Sequence, residues 1–305
     1  MNALSNIAVI NAEYRDFLIE HGVVDKVNSI LNKKCVSGNV YQAGIFLISN
    51  LFAIEPIPLL KLKPLVTHLM NTLWLTNEVI LADALYSLDK IISNGIQLSD
   101  ELVQRIILNV KNRNIEVSYL ALKVLESIRQ DLIVKCGGLT ALKNILEAPK
   151  NPHKRQSLAI VLKLVKNKCM VSKLIEEKIH LTMLKLIEKE DISIMKTIAC
   201  TYYKFIEGAD INSIKILLND GAMAKYAELL NVSDMQVRYT VLSGIKLLLH
   251  TLSGQTLKHH LLLLLQERVS DRLEEICDDK NEVNAELAAQ ILNEVEHTTI
   301  ELITM

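Results

Sequence analysis

The chain has 305 residues, of which 50% are hydrophobic and only 4% aromatic, with 10 Gly and 5 Pro. Its 34 Lys and Arg nearly balance its 35 Asp and Glu, so the formal net charge is -1. A chain of this length and hydrophobicity can bury a large core, which excludes intrinsic disorder. Near-neutral charge provides no global field that would hold nucleic acid. The scarcity of turn formers and β-aromatics predicts an all-α protein with short loops.

Cysteine usage and hydropathy predict where the protein resides. Five cysteines are scattered along the chain without a CxxC motif, at Cys35, Cys136, Cys169, Cys200 and Cys277. This pattern is typical of buried free thiols in a reducing compartment. The longest uninterrupted apolar runs, such as residues 261–265, are too short to cross a bilayer. We therefore predict a soluble intracellular protein with no membrane association.

A turn followed by a short apolar helix recurs along the chain. The copies begin at Gly22, Leu62, Gly137, Lys178 and Gly221. The spacing is 40 residues from the first to the second copy, 41 from the third to the fourth and 43 from the fourth to the fifth. A period in the low forties is typical of armadillo and HEAT repeats, each of which contains two or three helices.

Each period contains a second apolar helix with hydrophobic residues at i, i+3, i+4 and i+7. These helices are predicted at 40–53, 77–92, 115–128, 153–165, 193–206 and 234–249, preceded by a helix at 3–10. Residues 278–281 separate two last helices. The fold class predicted is an all-α, right-handed superhelical armadillo/HEAT-type solenoid of about seven repeats. We expect one solenoid over residues 1–297, with an incomplete first repeat, and a short tail over 298–305.

Several segments resemble the importin-alpha family, the armadillo-repeat adaptors that carry nuclear-localisation signals. The resemblance is strongest over residues 1–95 and is collinear with the repeats throughout. The matching segments are 2–8, 13–17, 21–22, 47–51, Pro64 with the helix that follows it, 78–83 and 136–139. In that family the last helix of each repeat presents a Trp and, one turn later, an Asn. The Trp faces hold the alkyl stems of lysines on an extended peptide, the Asn amides pair with its backbone, and nearby carboxylates attract its charges.

The resemblance assigns residues of this chain to that site. We call the two family positions in each repeat the Trp position and the Asn position. The residues expected to bind a basic signal peptide are Asn6, Phe46, Asn50, Asp83 and Tyr86. Asn6 and Asn50 stand at Asn positions, Phe46 and Tyr86 stand at Trp positions, and Asp83 matches a family acidic residue.

Other positions depart from the family. Asn2 stands at a Trp position, and Lys123 and Ser127 stand at positions where the family carries Arg and Asn. In the later repeats Ala159 and Cys200 replace Trp, while Lys163 and Lys204 replace Asn. Lysines there repel a basic peptide, so we expect the second cargo site of the family to be lost.

The resemblance also implies partners and location. Basic signal peptides of cargo, an importin-beta-type receptor and a recycling exportin are the expected partners, in a protein that shuttles between cytoplasm and nucleus. The family's basic N-terminal segment, which binds importin-beta, has no counterpart here, so recruitment of that receptor by such a segment is not expected.

The lysines and the missing Trp residues each leave a functional alternative open. Lys90, Lys163 and Lys204 form either a positive stripe for an acidic partner or an ordinary solvated face. The missing Trp residues favour a second hypothesis, an armadillo scaffold that has lost signal binding and holds another protein.

Catalytic and metal-binding motifs are missing from the sequence. It contains no GxSxG, HExxH, P-loop or GxGxxG, and the pair His259–His260 lacks a third ligand at suitable spacing. We predict a non-enzymatic protein without a cofactor.

Overall fold

The computed structural model describes residues 1–187, 190–252 and 255–304, and the side chains of residues 255, 256, 266 and 297–304 lie outside the description. Every regular element in these ranges is a helix, which confirms the all-α prediction. By their internal contacts the residues form two units, Met1–Ala141 and Leu142–Met305.

Unit 1 contains nine helices within the described residues and the start of a tenth. They are α1 (Asn2–Ala8), α2 (Ala12–Glu20), α3 (Val23–Leu31), α4 (Gly38–Leu51), α5 (Leu59–Thr72), α6 (Glu78–Ser93), α7 (Asp100–Asn109), α8 (Ile115–Ser127), α9 (Gln130–Lys135) and α10 (Gly138–Glu147). The last helices of successive repeats pack side by side, α1 against α4, α4 against α6, and α6 against α8. This row of helices carries the predicted peptide site.

Unit 2 continues the same pattern from Leu142. Its helices in the described ranges are α11 (Lys154–Val165), α12 (Lys168–Glu176), α13 (Ile179–Leu184), α14 (Ile192–Gly208), α15 (Ile211–Asn219), α16 (Ala222–Ala227), α17 (Met235–Thr251), α18 (Gln255–Cys277) and α19 (Glu282–Thr304), with a 3-10 turn at Glu228–Asn231. The last helices again pack in a row, α11 against α14, α14 against α17, and α17 against α19.

The repeat landmarks are left-handed turns between short helices. Gly22, Gly137 and Gly221 have φ of 78°, 85° and 69°, a conformation that glycine adopts without a Cβ penalty. Lys178 adopts the same conformation, with φ 58° between α12 and α13. Four of the five predicted landmarks therefore mark real turns.

The fifth landmark is wrong. Residues 61–64 lie inside α5, which continues through Pro64 without a turn. Proline deprives the carbonyl four residues earlier of its hydrogen bond. That carbonyl belongs to Leu60, a residue that is 91% exposed, so water can replace the missing donor.

The cysteines and the last helix also differ from expectation. All five cysteines are free, but Cys35 and Cys169 are exposed and the other three are half-buried, so the prediction of buried thiols is wrong. Helix α19 continues to Thr304, through most of the segment expected to form a tail. Within the described ranges, no helix combines the length and the apolar character needed to cross a membrane.

Candidate functional site

Six long helices share one burial pattern, which identifies the Trp and Asn positions in the structure. In each helix one incompletely buried residue is preceded by two buried residues and followed by two more. These residues are Phe46, Tyr86, Lys123, Ala159, Cys200 and Ser243. Four residues later, each helix has a second incompletely buried residue: Asn50, Lys90, Ser127, Lys163, Lys204 or Leu247. The positions assigned by resemblance thus lie on the solvent side of the helix rows.

Two aromatic side chains face solvent on neighbouring helices of unit 1. Phe46 of α4 is 37% exposed and Tyr86 of α6 is 39% exposed, and these two helices pack against each other. Phe46 is therefore not part of the hydrophobic core. Half-exposed aromatic rings leave a face available to the alkyl stem and charge of a lysine.

The two asparagines of the predicted site lie on adjacent helices but differ in their contacts. Asn50 donates a hydrogen bond from Nδ2 to the backbone oxygen of Ser5, at 3.1 Å. Asn6 is exposed, and its side chain makes no hydrogen bond with any other residue in the described ranges. Asn50 therefore links α4 to α1, whereas the amide of Asn6 faces solvent.

Asp83 is half-buried on α6, one turn before Tyr86. Burial raises the pKa of its carboxyl from 3.8 to about 6, and the negative charge of Glu116 adds to this effect. Its carboxylate accepts no hydrogen bond from the described part of the chain. A carboxylate that is costly to ionise and lacks a cationic partner is a candidate for binding a ligand cation.

Tyr119 extends the aromatic series to α8, and the sequence analysis missed it. It is 42% exposed, and Nζ of Lys123 lies 5.8 Å from its ring centroid. A lysine of the chain itself therefore contacts this ring, as a peptide lysine would. The i, i+4 spacing of the two residues on one helix was the signal available in the sequence.

The charges on α4, α6 and α8 are predominantly negative. These helices carry five carboxylates and two lysines, namely Glu78, Asp83, Asp89, Glu116 and Glu126 against Lys90 and Lys123. One of the carboxylates, Asp89, accepts a 2.7 Å hydrogen bond from Ser127. We call the solvent side of these three helices the acidic face.

The corresponding positions of unit 2 lack aromatic rings. Ala159 and Cys200 occupy Trp positions, with Lys163 and Lys204 four residues later. Nζ of Lys204 lies 2.6 Å from Glu207 and 5.3 Å from the centroid of the Tyr203 ring. Among the described residues, no group of three or more His, Cys, Asp or Glu could hold a metal ion.

No protein-family model matches the sequence, and no curated protein matches it. Solved structures do. An engineered protein is similar with a TM-score of 0.70 and 17% identity, over 96% of this chain and 73% of that chain. A designed armadillo repeat protein is similar with a TM-score of 0.59 and 17% identity, over 75% of this chain and 99% of that chain. A second engineered protein gives a TM-score of 0.59 at 15% identity, over 76% of this chain and 97% of that chain.

These similarities establish the fold. At such low identities they show the architecture alone, and that architecture is the armadillo-type repeat predicted from the sequence. The chain thus has an armadillo-type repeat fold.

Proposed function

We propose that the acidic face binds an extended basic peptide of a partner protein. The observation that carries this proposal is the pair of half-exposed rings, Phe46 and Tyr86, at the same position of two neighbouring helices. Flat aromatic faces on a row of helices whose charges are mostly carboxylates attract a cationic side chain and disfavour an anionic one.

Each residue has a role in this binding. Phe46 and Tyr86 contact the alkyl stems of lysines, and Asp83 receives an ammonium or guanidinium group. The amides of Asn6 and Asn50 pair with the peptide backbone and fix its direction. Neighbouring helices are about 8–10 Å apart, and an extended chain advances about 3.3–3.6 Å per residue. A peptide that crosses the helices therefore presents every third residue, approximately, to successive helices.

The resemblance to importin-alpha supplies the finer proposal. The peptide would be the nuclear-localisation signal of a cargo protein, and the chain an adaptor for nuclear import. An importin-beta-type receptor and a recycling exportin would be further partners, and the protein would move between cytoplasm and nucleus. The residues that support this proposal stand at the family's binding positions: Asn6, Asn50 and Asp83 match the family there, and Phe46 and Tyr86 replace its Trp with another aromatic residue.

Isothermal titration calorimetry with a lysine-rich peptide tests the proposal. Phe46→Ala and Tyr86→Ala should each weaken binding by about 0.5–2 kcal/mol, the range of a cation–aromatic contact. Tyr14→Ala is the matched control, because Tyr14 is an exposed aromatic residue on α2, outside the helix row. Equal effects of all three substitutions, or no binding by wild type, would contradict the proposal.

A second candidate function is a scaffold that no longer binds signal peptides. One N–H of Asn50 is already used by Ser5, and the next Asn position holds Lys90. Both features reduce the number of groups that could pair with a peptide backbone. If the lysine-rich peptide does not bind, this candidate replaces the first.

A further inference from the structure

The solvent side of α11, α14 and α17 carries two adjoining depressions. The larger has a volume of about 420 Å³, and its lining includes Leu162, Cys200, Tyr203 and Tyr239. The smaller has a volume of about 160 Å³ and shares Leu162 and Cys200 with the larger. Both lie within unit 2. Together they form an apolar trough across three packed helices, at the positions where the resemblance predicts only a lost site.

The charge of this surface is opposite to that of the acidic face. The three helices carry seven Lys and Arg and a single carboxylate, namely Lys154, Arg155, Lys163, Lys196, Lys204, Arg238 and Lys246 against Glu207. We call the solvent side of α11, α14 and α17 the basic face. Four of these seven cations, Lys154, Arg155, Lys196 and Arg238, are paired with carboxylates just outside the helices, at Glu190, Asp191, Asp234 and Asp279.

Several of the basic residues have structural roles. Arg155 pairs with Asp191 at 2.7 Å, and Lys196 pairs with Asp234 at 2.8 Å. Each of these aspartates also caps the first turn of the next long helix, Asp191 for α14 and Asp234 for α17. These basic residues thus connect one repeat to the cap of the next, so their presence does not require a ligand.

Two lysines at the larger depression differ from those linking residues. Lys166, at the end of α11, lines the depression and forms no ion pair with a described residue. Lys204 also lines it, and its only acidic partner in the described ranges is Glu207, three residues further along the same helix. Neither lysine connects two repeats. The charge of Lys166 is available to an anionic ligand, and a ligand carboxylate at Lys204 competes only with Glu207.

We propose that the basic face binds an extended acidic peptide whose one large apolar side chain fills the depression lined by Tyr203 and Tyr239. The carboxylates of the peptide pair with Lys166 and Lys204. Leu162 and Cys200 form the apolar floor beneath the anchor side chain. This site shares no residue with the proposed basic-peptide site. It has the opposite charge, and it lies in unit 2, whereas the basic-peptide site lies in unit 1.

A peptide suits this trough better than a compact small molecule. The two depressions continue across three helices, and a chain crossing them at about 3.3–3.6 Å per residue needs about nine residues. Aromatic rings with a polar tip at the rim hold an apolar anchor and still meet water. Carboxylates three residues apart on the peptide match basic side chains on successive helices.

Fluorescence anisotropy with a labelled peptide of about twelve residues tests the proposal. The probe consists of Glu with one central Phe, and two further probes replace every Glu by Lys or the Phe by Gly. The full-length chain should bind the Glu probe with its central Phe. It should bind the probe with Gly in place of Phe about tenfold more weakly. The lysine probe should not bind at the basic face.

Substitutions locate the binding. Lys166→Glu and Tyr239→Ala should each weaken binding of the acidic probe about tenfold. Lys215→Glu is the matched control, because Lys215 is an exposed lysine of α15, outside the row of long helices, and it should leave the affinity unchanged. Circular dichroism establishes that every variant remains folded. Alkylation of Cys200 gives a second readout, since a bound peptide should slow it.

Three results would overturn the proposal. The first is absence of binding at millimolar probe. The second is binding that is equal for the Lys166 and Lys215 variants. The third is displacement of the acidic probe by single-stranded RNA at lower concentration than by unlabelled peptide, which would assign the basic face to nucleic acid. None of these results bears on the acidic face, which is tested with the opposite peptide.

Discussion

The side-chain amide of Asn50 in α4 donates a 3.1 Å hydrogen bond to the backbone oxygen of Ser5 in α1. These residues belong to different repeats, so the bond connects one long helix to the next. A primary amide has two donor hydrogens and one acceptor oxygen. Asn50 therefore keeps one hydrogen and the oxygen for a peptide backbone while it stabilises the packing of two repeats.

The structural role of Asn50 predicts a loss of stability on substitution. Asn50→Ala should lower the free energy of unfolding by about 1 kcal/mol, the usual net value of one hydrogen bond. Asn28→Ala is a matched variant, because Asn28 of α3 accepts a 2.8 Å hydrogen bond from His68 of α5 in the same unit. Urea denaturation should give a similar or larger loss for it. If Asn28→Ala lowers the free energy of unfolding and Asn50→Ala does not, the hydrogen bond to Ser5 contributes nothing to stability.

Asp83 predicts that basic-peptide binding depends on pH. Its pKa is raised to about 6 by burial and by Glu116, so the carboxyl is largely neutral below that pH. A peptide cation favours the ionised form, and binding should therefore strengthen as pH rises through about 6. Titrations at several pH values should show this dependence in wild type and a flatter one in Asp83→Asn. An equally steep dependence in the variant would assign it to another group.

The same pKa predicts a gain in stability from Asp83→Asn. The raised pKa means that the folded state binds the proton more tightly than the unfolded state, so stability decreases as pH rises from about 4 through about 6. A shift of about two units corresponds to about 2.7 kcal/mol, and partial exposure reduces this to about 1 kcal/mol. Urea denaturation near neutral pH should show that gain. A loss at neutral pH would mean that the carboxylate stabilises the fold.

The environment of His180 in unit 2 gives the stability of the fold the opposite dependence on pH. Its side chain is fully buried, with Nε2 3.2 Å from Asp220. Burial lowers its pKa below 6.5, assisted by Lys178, while the bond and charge of Asp220 oppose the shift. The unfolded state then takes up the proton first, so the stabilising contribution is complete above about pH 6.5 and is lost as pH falls.

Substitution of His180 measures its contribution to the pH dependence of stability. The free energy of unfolding should fall less steeply between about pH 7 and pH 5 in His180→Asn than in wild type. His250→Gln is the control, because His250 is exposed, and it should retain the wild-type slope. If both variants behave alike, protonation of His180 does not limit stability.

Local features of the sequence predicted most of the fold. Each of the six predicted long helices begins and ends within two residues of its observed bounds, because apolar periodicity and turn residues act over short distances. Even the degenerate landmark at Lys178 is a left-handed turn. The Pro64 landmark failed because the carbonyl that loses its donor to proline belongs to the exposed residue Leu60, where solvent is accessible, so the helix continues through Pro64.

The site was less predictable because it depends on distant contacts. The bond from Asn50 to Ser5 joins residues 45 positions apart, and periodicity within one helix contains no information on it. Likewise, the pKa of Asp83 is raised by burial in the folded chain and by Glu116 of the next repeat. The trough at Cys200 arises from three helices of three repeats. The sequence alone indicated the loss of Trp there and, as one of two alternatives, a positive stripe that includes Lys163 and Lys204, but no depression.

The most direct test of the acidic face is fluorescence anisotropy of a labelled lysine-rich peptide, at low and moderate salt, with wild type, Asn50→Ala and Asn28→Ala. Asn28→Ala corrects for the loss of an inter-helix hydrogen bond elsewhere in the unit. We predict micromolar or tighter binding by wild type that weakens at least about tenfold, or about 1.4 kcal/mol, in Asn50→Ala alone. No binding, or equal binding by the two variants, would contradict a peptide site on this face and favour a scaffold function.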